Sequence, residues 1–187
     1  LVFLRYLFVV LPLVFFVKRP AASWRAMAAY GLSIGVGQFS LLFYSIEIGM
    51  PAGLASVVMQ SQAIFTLVLS AMFMRERVGG IQLSGMGLAI VGLGLIGGLV
   101  GAEAAAVPPA AFLTCLLAAF FWSCANIIVK RASDEGTRNG KPLDMMEMLV
   151  WSSVFVPLPM LCISLVGDGP AAILQSLTQI DSPAVFS

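Results

Sequence analysis

The stretch IGMPAGLASVVMQSQAIFTLVLSAMFMRER, Ile48 to Arg77, decides the fold. From Ile48 to Met74 it holds no charged residue, and it then stops on Arg75-Glu76-Arg77. A helix that crosses a bilayer needs about 20 mostly apolar residues, so this run is long enough to span and ends on the cations that hold a span at the membrane surface. Composition agrees: of 187 residues 60% are apolar and 10% charged, against roughly 45–50% and 25% in soluble domains. Membrane is the expected solvent.

Working outward, further charge-free runs occupy Ala26–Ile46, Val78–Ala102, Ala104–Val129 and Met148–Gly167, and Leu1–Val17 makes a sixth with Arg5 near its outer end. Gly and Pro mark the breaks: Pro20, Gly49-Met50-Pro51, Gly79-Gly80, Pro108-Pro109, Gly136 to Pro142 and Gly167-Asp168-Gly169-Pro170. Lys and Arg alternate from break to break. Lys18, Arg19 and Arg25 follow the first span, none flank Glu47, Arg75 and Arg77 follow the third, and none flank Glu103. Lys130, Arg131, Arg138 and Lys141 follow the fifth, and none flank Asp168. The basic loops are therefore cytoplasmic, and the first visible span runs from outside to inside. The chain reads as a fragment, with one earlier span expected before Leu1. After Pro170, Ile173, Leu174, Leu177 and Ile180 are spaced for a short interfacial helix, and Asp181-Ser182-Pro183 reads as the start of a seventh span.

Several chemistries are excluded or unsupported. The chain has no His, which removes the usual general base near neutral pH and the commonest metal ligand. Its formal charge of +1 does not make a nucleic-acid surface. Cys115, Cys124 and Cys162 lie apart in apolar runs and read as small core residues. Gly31-Leu32-Ser33-Ile34-Gly35 matches a hydrolase elbow, and Gly92-Leu93-Gly94-Leu95-Ile96-Gly97 a dinucleotide fingerprint. Both lie inside spans with no strand before them, so neither carries its chemistry. The glycines read instead as helix-packing pairs: Gly31 with Gly35, Ser33 with Gly37, and Gly94 with Gly98.

Polar side chains within hydrocarbon must be satisfied by another helix, a solute or cavity water, so they mark inward positions. The second span carries Gln38, Tyr44 and Ser45; the third carries Ser56, Gln60, Ser61 and Gln62. Three successive polar residues cover about 200° of helix, so at least one must meet a neighbour or a cavity. In the fifth span Ser123, Asn126 and Lys130 form a stripe, with Trp122 one turn before Asn126. The competing account of each is an ordinary interhelical hydrogen bond, worth about 0.6 kcal/mol on average. Taken together, uncharged donors and acceptors on three spans suit a small polar or zwitterionic solute. Glu47 is the visible carboxylate for proton coupling, with a solvated loop acid as its plainer reading, and Trp24 and Trp151 read as interfacial anchors.

Glu76-Arg77 followed by Gln82, Gly85, Leu88, Ala89 and Gly92 resembles the signature at the fourth-to-fifth helix turn of the EamA family, in the drug/metabolite transporter superfamily. Gly49 to Ala63, Leu4-Arg5-Tyr6, Phe16 to Pro20 and Trp122 to Ile127 look closer still to bacterial exporters of O-acetylserine and cysteine. The resemblance implies an all-α membrane protein, a multi-span helical bundle that is a fragment of a ten-helix transporter built from two inverted five-helix repeats. On that register residues 1–102 hold helices two to five of the first repeat. Residues 103–187 hold helices one and two of the second and the start of its third, while the charged, Gly-rich loop Ser133–Leu143 is longer than such an exporter should need.

The expected function is secondary export of small amino-acid-like metabolites by alternating access, with no catalytic role, no cofactor and no metal. Substrate contacts are expected from Gln38, Tyr44, Gln60, Gln62, Trp122 and Asn126, with Arg5 for a carboxylate. The expected partners are the metabolite, the inner-membrane bilayer, protons as coupling ion and a second copy in a homodimer. A drug or nucleotide-sugar carrier on the same fold, a membrane-embedded enzyme, or a non-transporting membrane subunit is the alternative.

Overall fold

The computed structural model describes residues 13–74, 78–99 and 107–167, with no strand among them. The helices are α1 (Trp24–Gly31), a π-helical segment (Leu32–Gln38), α2 (Phe39–Glu47), α3 (Ala52–Met59), α4 (Gln62–Met74), α5 (Gly80–Leu99), α6 (Pro109–Arg138), α7 (Met145–Ser153) and α8 (Pro157–Gly167). Among the described residues three helical runs are long and apolar enough to cross a membrane: Trp24–Glu47, Ala52–Met74 and Pro109–Arg138. The bent pair α7–α8 makes a fourth if counted as one span. Arg5, most of the first span, Arg75 to Arg77, Glu103, the interfacial helix after Pro170 and the seventh-span start lie outside the described residues.

The ends of the helices follow from local chemistry. The Ser23 hydroxyl accepts from the Ala26 N–H and caps α1, and Asp144 Oδ1 accepts from the Met146 and Glu147 N–H groups and caps α7. At the outer end of α2 the Met50 N–H donates to Ser45 O and the Gly49 N–H to Ile46 O, with Gly49 at φ +111°. Lys141 and Gly140 repeat this closure on Gly136 and Thr137, with Gly140 at φ +68°. Both are glycine-closed helix ends in which two orphan carbonyls gain donors.

Three features depart from the sequence expectation. The loop expected at Ser133–Leu143 is helix as far as Arg138. The 30 residues of α6 are about 45 Å long at 1.5 Å each, beyond a hydrocarbon core of about 30 Å, so its basic end projects past the membrane. The sixth span bends by 41° between α7 and α8, because Pro157 has no N–H to continue the ladder and its ring crowds the Ser153 carbonyl. The third span carries a tight turn at Gln60-Ser61, whose N–H groups reach back three residues to Val57 O and Val58 O. There the Ser61 hydroxyl also donates to Val58 O, a back-bond of the kind that bends helices.

α6 is the centre of the bundle, and α1, the π segment, α2, α3 and α4 all pack against it. Alanines at 111, 118, 119, 125 and 132, all buried, let these helices approach it. Around the N-terminal half of α6 Met50, Ala55, Val58, Met59 and Cys115 pack together; toward its C-terminal half Met27, Tyr30, Ala125 and Met148 do so. Cys115 is buried as expected, Cys124 half-buried, and Cys162 exposed rather than core.

The expected glycine packing is present in the second span. A Cβ on Gly31 would collide with the Ser152 carbonyl and one on Gly35 with the Val156 side chain, while one on Gly37 would meet the Phe121 ring. These positions hold the second span against the fifth and sixth. A Cβ on Gly94 would meet nothing within 4 Å among the described residues, and α5 lies at the edge, touching chiefly α3, with Ile81 90% exposed. Trp24 and Trp151 meet edge to face with ring centroids 5.8 Å apart, and Trp24 meets Phe155 at 6.0 Å. The Trp151 Nε1–H donates to the Val17 and Lys18 carbonyls, and the Arg19 guanidinium lies 4.4 Å above the Trp24 ring. The two tryptophans thus join the second span to the sixth at the cytoplasmic end.

Candidate functional site: a polar seam between the third and fifth spans

The third and fifth spans run parallel, and each residue of α4 lies beside the residue about 60 positions later on α6. In α4, Gln62, Thr66 and Ser70 recur every four residues and so share one face. That face meets Asn126 and Lys130, themselves four apart on α6. The Asn126 Nδ2 donates to Gln62 Oε1 at 3.0 Å and to Thr66 Oγ1 at 3.2 Å. Thr66 Oγ1 in turn donates to Gln62 O at 2.7 Å. One turn further along both helices the Lys130 Nζ donates to Ser70 Oγ at 3.5 Å. At the exit Arg131 donates to Phe73 O at 2.9 Å and its guanidinium lies 5.7 Å from the Phe73 ring centroid.

The seam thus runs from the uncharged amides of Gln62 and Asn126 to the cations Lys130 and Arg131. An amide has two donors and two acceptor lone pairs. The hydrogen bond between Gln62 and Asn126 uses Gln62 Oε1 and Asn126 Nδ2, and the same Nδ2 also reaches Thr66. With O and N of each amide assigned by this network, Asn126 Oδ1 and Gln62 Nε2 remain to offer a solute one acceptor and one donor. Both residues are half-buried, held by the helices yet not sealed from the space between them.

Of the seven residues singled out from sequence, the structure joins Gln62 to Asn126. Trp122 is half-buried and packs against the outer core cluster. Gln38 is 5% exposed, at the end of the π segment, and its Oε1 is buried with no hydrogen-bond partner among the described residues. Tyr44 is 54% exposed on α2 and Gln60 is exposed at the turn between α3 and α4, so neither meets the seam. Arg5 lies outside the described residues. Ser45 is buried beside Cys115, and the buried Ser123 donates to Phe120 O. Thr66 and Ser70 were not singled out. Their signal was the four-residue spacing from Gln62, muted because a helical hydroxyl can satisfy itself on its own backbone. Among the described residues no group of three or more His, Cys, Asp or Glu could hold a metal ion.

Comparison with known proteins adds the lineage. Residues 1–98 match the EamA-like transporter family. The chain is 40% identical over 185 residues to the "Probable amino-acid metabolite efflux pump" of Escherichia coli K12, covering 98% of this chain and 60% of that protein. It is 42% identical over 185 residues to the protein of the same name from Salmonella typhimurium LT2, with the same coverage. Over 80 residues it is 32% identical to the "Probable terminal-alkyne amino-acid exporter" of Streptantibioticus cattleyicolor, covering 43% of this chain and 27% of that one. The chain therefore spans about 60% of the length of the two efflux-pump relatives. No solved structure matches it significantly. An all-helical, multi-pass membrane chain matched over its first half in this way belongs to the EamA-like transporter family.

Proposed function

We propose that the protein is a secondary transporter of the inner, or plasma, membrane that exports small amino-acid-like metabolites of the cysteine and O-acetylserine type by alternating access. The observation that carries this reading is the Gln62–Asn126–Thr66 network, which places uncharged donors and acceptors at membrane depth, one turn from a cation at the cytoplasmic mouth. A zwitterion can exchange its hydration for such groups without meeting a fixed like charge. The names of the relatives support the substrate class. In this reading residues 1–102 and 103–187 come from two inverted repeats that rock against each other. The seam, formed by one span from each, opens and closes with that motion. Gln62 and Asn126 make the central substrate contacts beside Trp122. Protons are the proposed coupling ion, with Glu47, exposed at the outer end of α2, as the carboxylate to test.

The test is counterflow of labelled cysteine, O-acetylserine and unrelated amino acids in vesicles that hold the full-length protein. The expected result is saturable exchange of the first two, reduced about tenfold or more by Asn126→Ala with membrane insertion unchanged. Exchange that is absent, or indifferent to Asn126→Ala, counts against the reading.

A further inference from the structure

Gln38 is a buried amide whose oxygen has no hydrogen-bond partner among the described residues. In low dielectric an acceptor without a donor is costly, and buried polar groups in folded proteins are nearly always satisfied. Its setting is unusual too. Gln38 closes a seven-residue π-helical run, Leu32–Gln38, and π turns inside α-helices concentrate at functional sites. Each π turn takes an extra residue, so the run turns the chain after it relative to the chain before it. Gly31 and Gly35 stay against the sixth span, while Gly37 lies on Phe121 and Gln38 is buried.

The depth of Gln38 follows from its neighbours. The second span is antiparallel to α6, with Ser45 beside Cys115 and Gly37 against Phe121. Gln38 therefore lies level with Phe120, and Gln62, which lies beside the residue 60 positions later, is level with Trp122, about 3 Å away along the helix axis. The oxygen is thus near the depth of Gln62, contributed by the second span, which packs on the same central helix as α4.

We propose that Gln38 Oε1 is the acceptor for the amino group of the transported metabolite. This rests on the transport function proposed above and assigns it a substrate class: compounds that carry an N–H donor next to the carboxylate. An ammonium group is the strongest such donor, since a charge-assisted hydrogen bond is about twice as strong as a neutral one. The seam amides then serve the remainder of the solute.

The experiment compares cysteine with 3-mercaptopropionate, which keeps the thiol and carboxylate and lacks the amino group, in counterflow with the full-length protein. Wild type is expected to prefer cysteine. Gln38→Leu, which keeps the volume and removes the acceptor, is expected to lower that preference by about tenfold while transport of 3-mercaptopropionate holds. Gln38→Glu, which keeps an acceptor, is expected to retain the preference. An unchanged preference in Gln38→Leu overturns the proposal. Equal loss of both probes in Gln38→Leu overturns it as well, because that marks an amide satisfied by water and needed for structure. Where Gln38→Leu does not insert, loss of the preference in Gln38→Glu is the overturning result. A wild type that moves neither compound refutes the transport reading itself, a separate failure.

Discussion

The hydrogen bonds of Asn126 can be tested as an energy. Its Nδ2 serves two acceptors on α4, Gln62 Oε1 at 3.0 Å and Thr66 Oγ1 at 3.2 Å. Interhelical hydrogen bonds in membranes average about 0.6 kcal/mol and reach about 1.7 at most. The two together should therefore couple α4 to α6 by about 1.2 kcal/mol. Either bond alone stands close to the scatter of about 0.3–0.5 kcal/mol seen for sites that do not interact, so a single-pair cycle resolves little. The informative cycle sets Asn126→Leu against the combined Gln62→Leu and Thr66→Val, with unfolding free energies of the full-length protein measured in lipid bicelles. A parallel cycle of Asn126→Leu with Gln60→Leu is the control, since Gln60 is exposed and off the seam. The structure predicts about 1 kcal/mol of coupling for the seam and none above scatter for the control. Seam coupling within the scatter, or coupling as large for Gln60, refutes the claim that Asn126 holds the third span to the fifth.

Three further predictions concern the frame around the seam. Gly31→Ala should destabilise by about 1–3 kcal/mol, the range for overpacking, because its Cβ meets the Ser152 backbone carbonyl, which has no rotamer to escape into. Gly37→Ala should cost less, since the Phe121 ring can turn away; thermal shifts of the two variants in detergent will rank them. Asp144→Ala removes the acceptor of two N–H groups at the start of α7 and should cost about 1 kcal/mol, seen in the same assay, with Asp144→Asn nearly neutral. Gly140→Ala forces a Cβ into the left-handed turn at φ +68° that ends α6. It should cost about 1 kcal/mol and raise amide exchange at Lys141, whose N–H closes that turn.

The spans were legible because length without charge is a one-dimensional property. The run from Ile48 to Met74 announces a crossing, and the structure gives helix over Ala52–Met74 with a turn at its polar triplet. Helix ends were legible where a single residue sets them, as at Gly49 and Pro108-Pro109. Angular relations between helices were not. Gln60 and Gln62 are two residues apart, about 200° around a helix, so a seam that receives Gln62 leaves Gln60 out. Which of the two faces α6 is decided by Asn126, some 60 residues away. The π segment also left no mark in the sequence pattern, because Leu32 to Gln38 reads as ordinary apolar helix with two glycines. The bend at Pro157 was visible as a proline, yet an apolar run without charge reads equally well as one straight span. The overlong α6 was hidden by Gly136, which suggests a loop but lies in the last turn of the helix, where a Cβ would strike the Lys141 carbonyl.

Transport through the seam requires that it open to a dissolved metabolite. In full-length protein with Cys115, Cys124 and Cys162 replaced, Thr66→Cys places a thiol between Gln62 and Asn126, and Ile81→Cys places one on the exposed face of α5. The measurement is the rate at which a small hydrophilic methanethiosulfonate reagent modifies each thiol in vesicles, with and without O-acetylserine, a substrate of the proposed class that has no thiol to consume the reagent. The account predicts modification at position 66, slowed severalfold by substrate, and slow modification at position 81 that substrate does not alter. A thiol at position 66 that is inert in every state, or modified at a rate substrate leaves untouched, would contradict it.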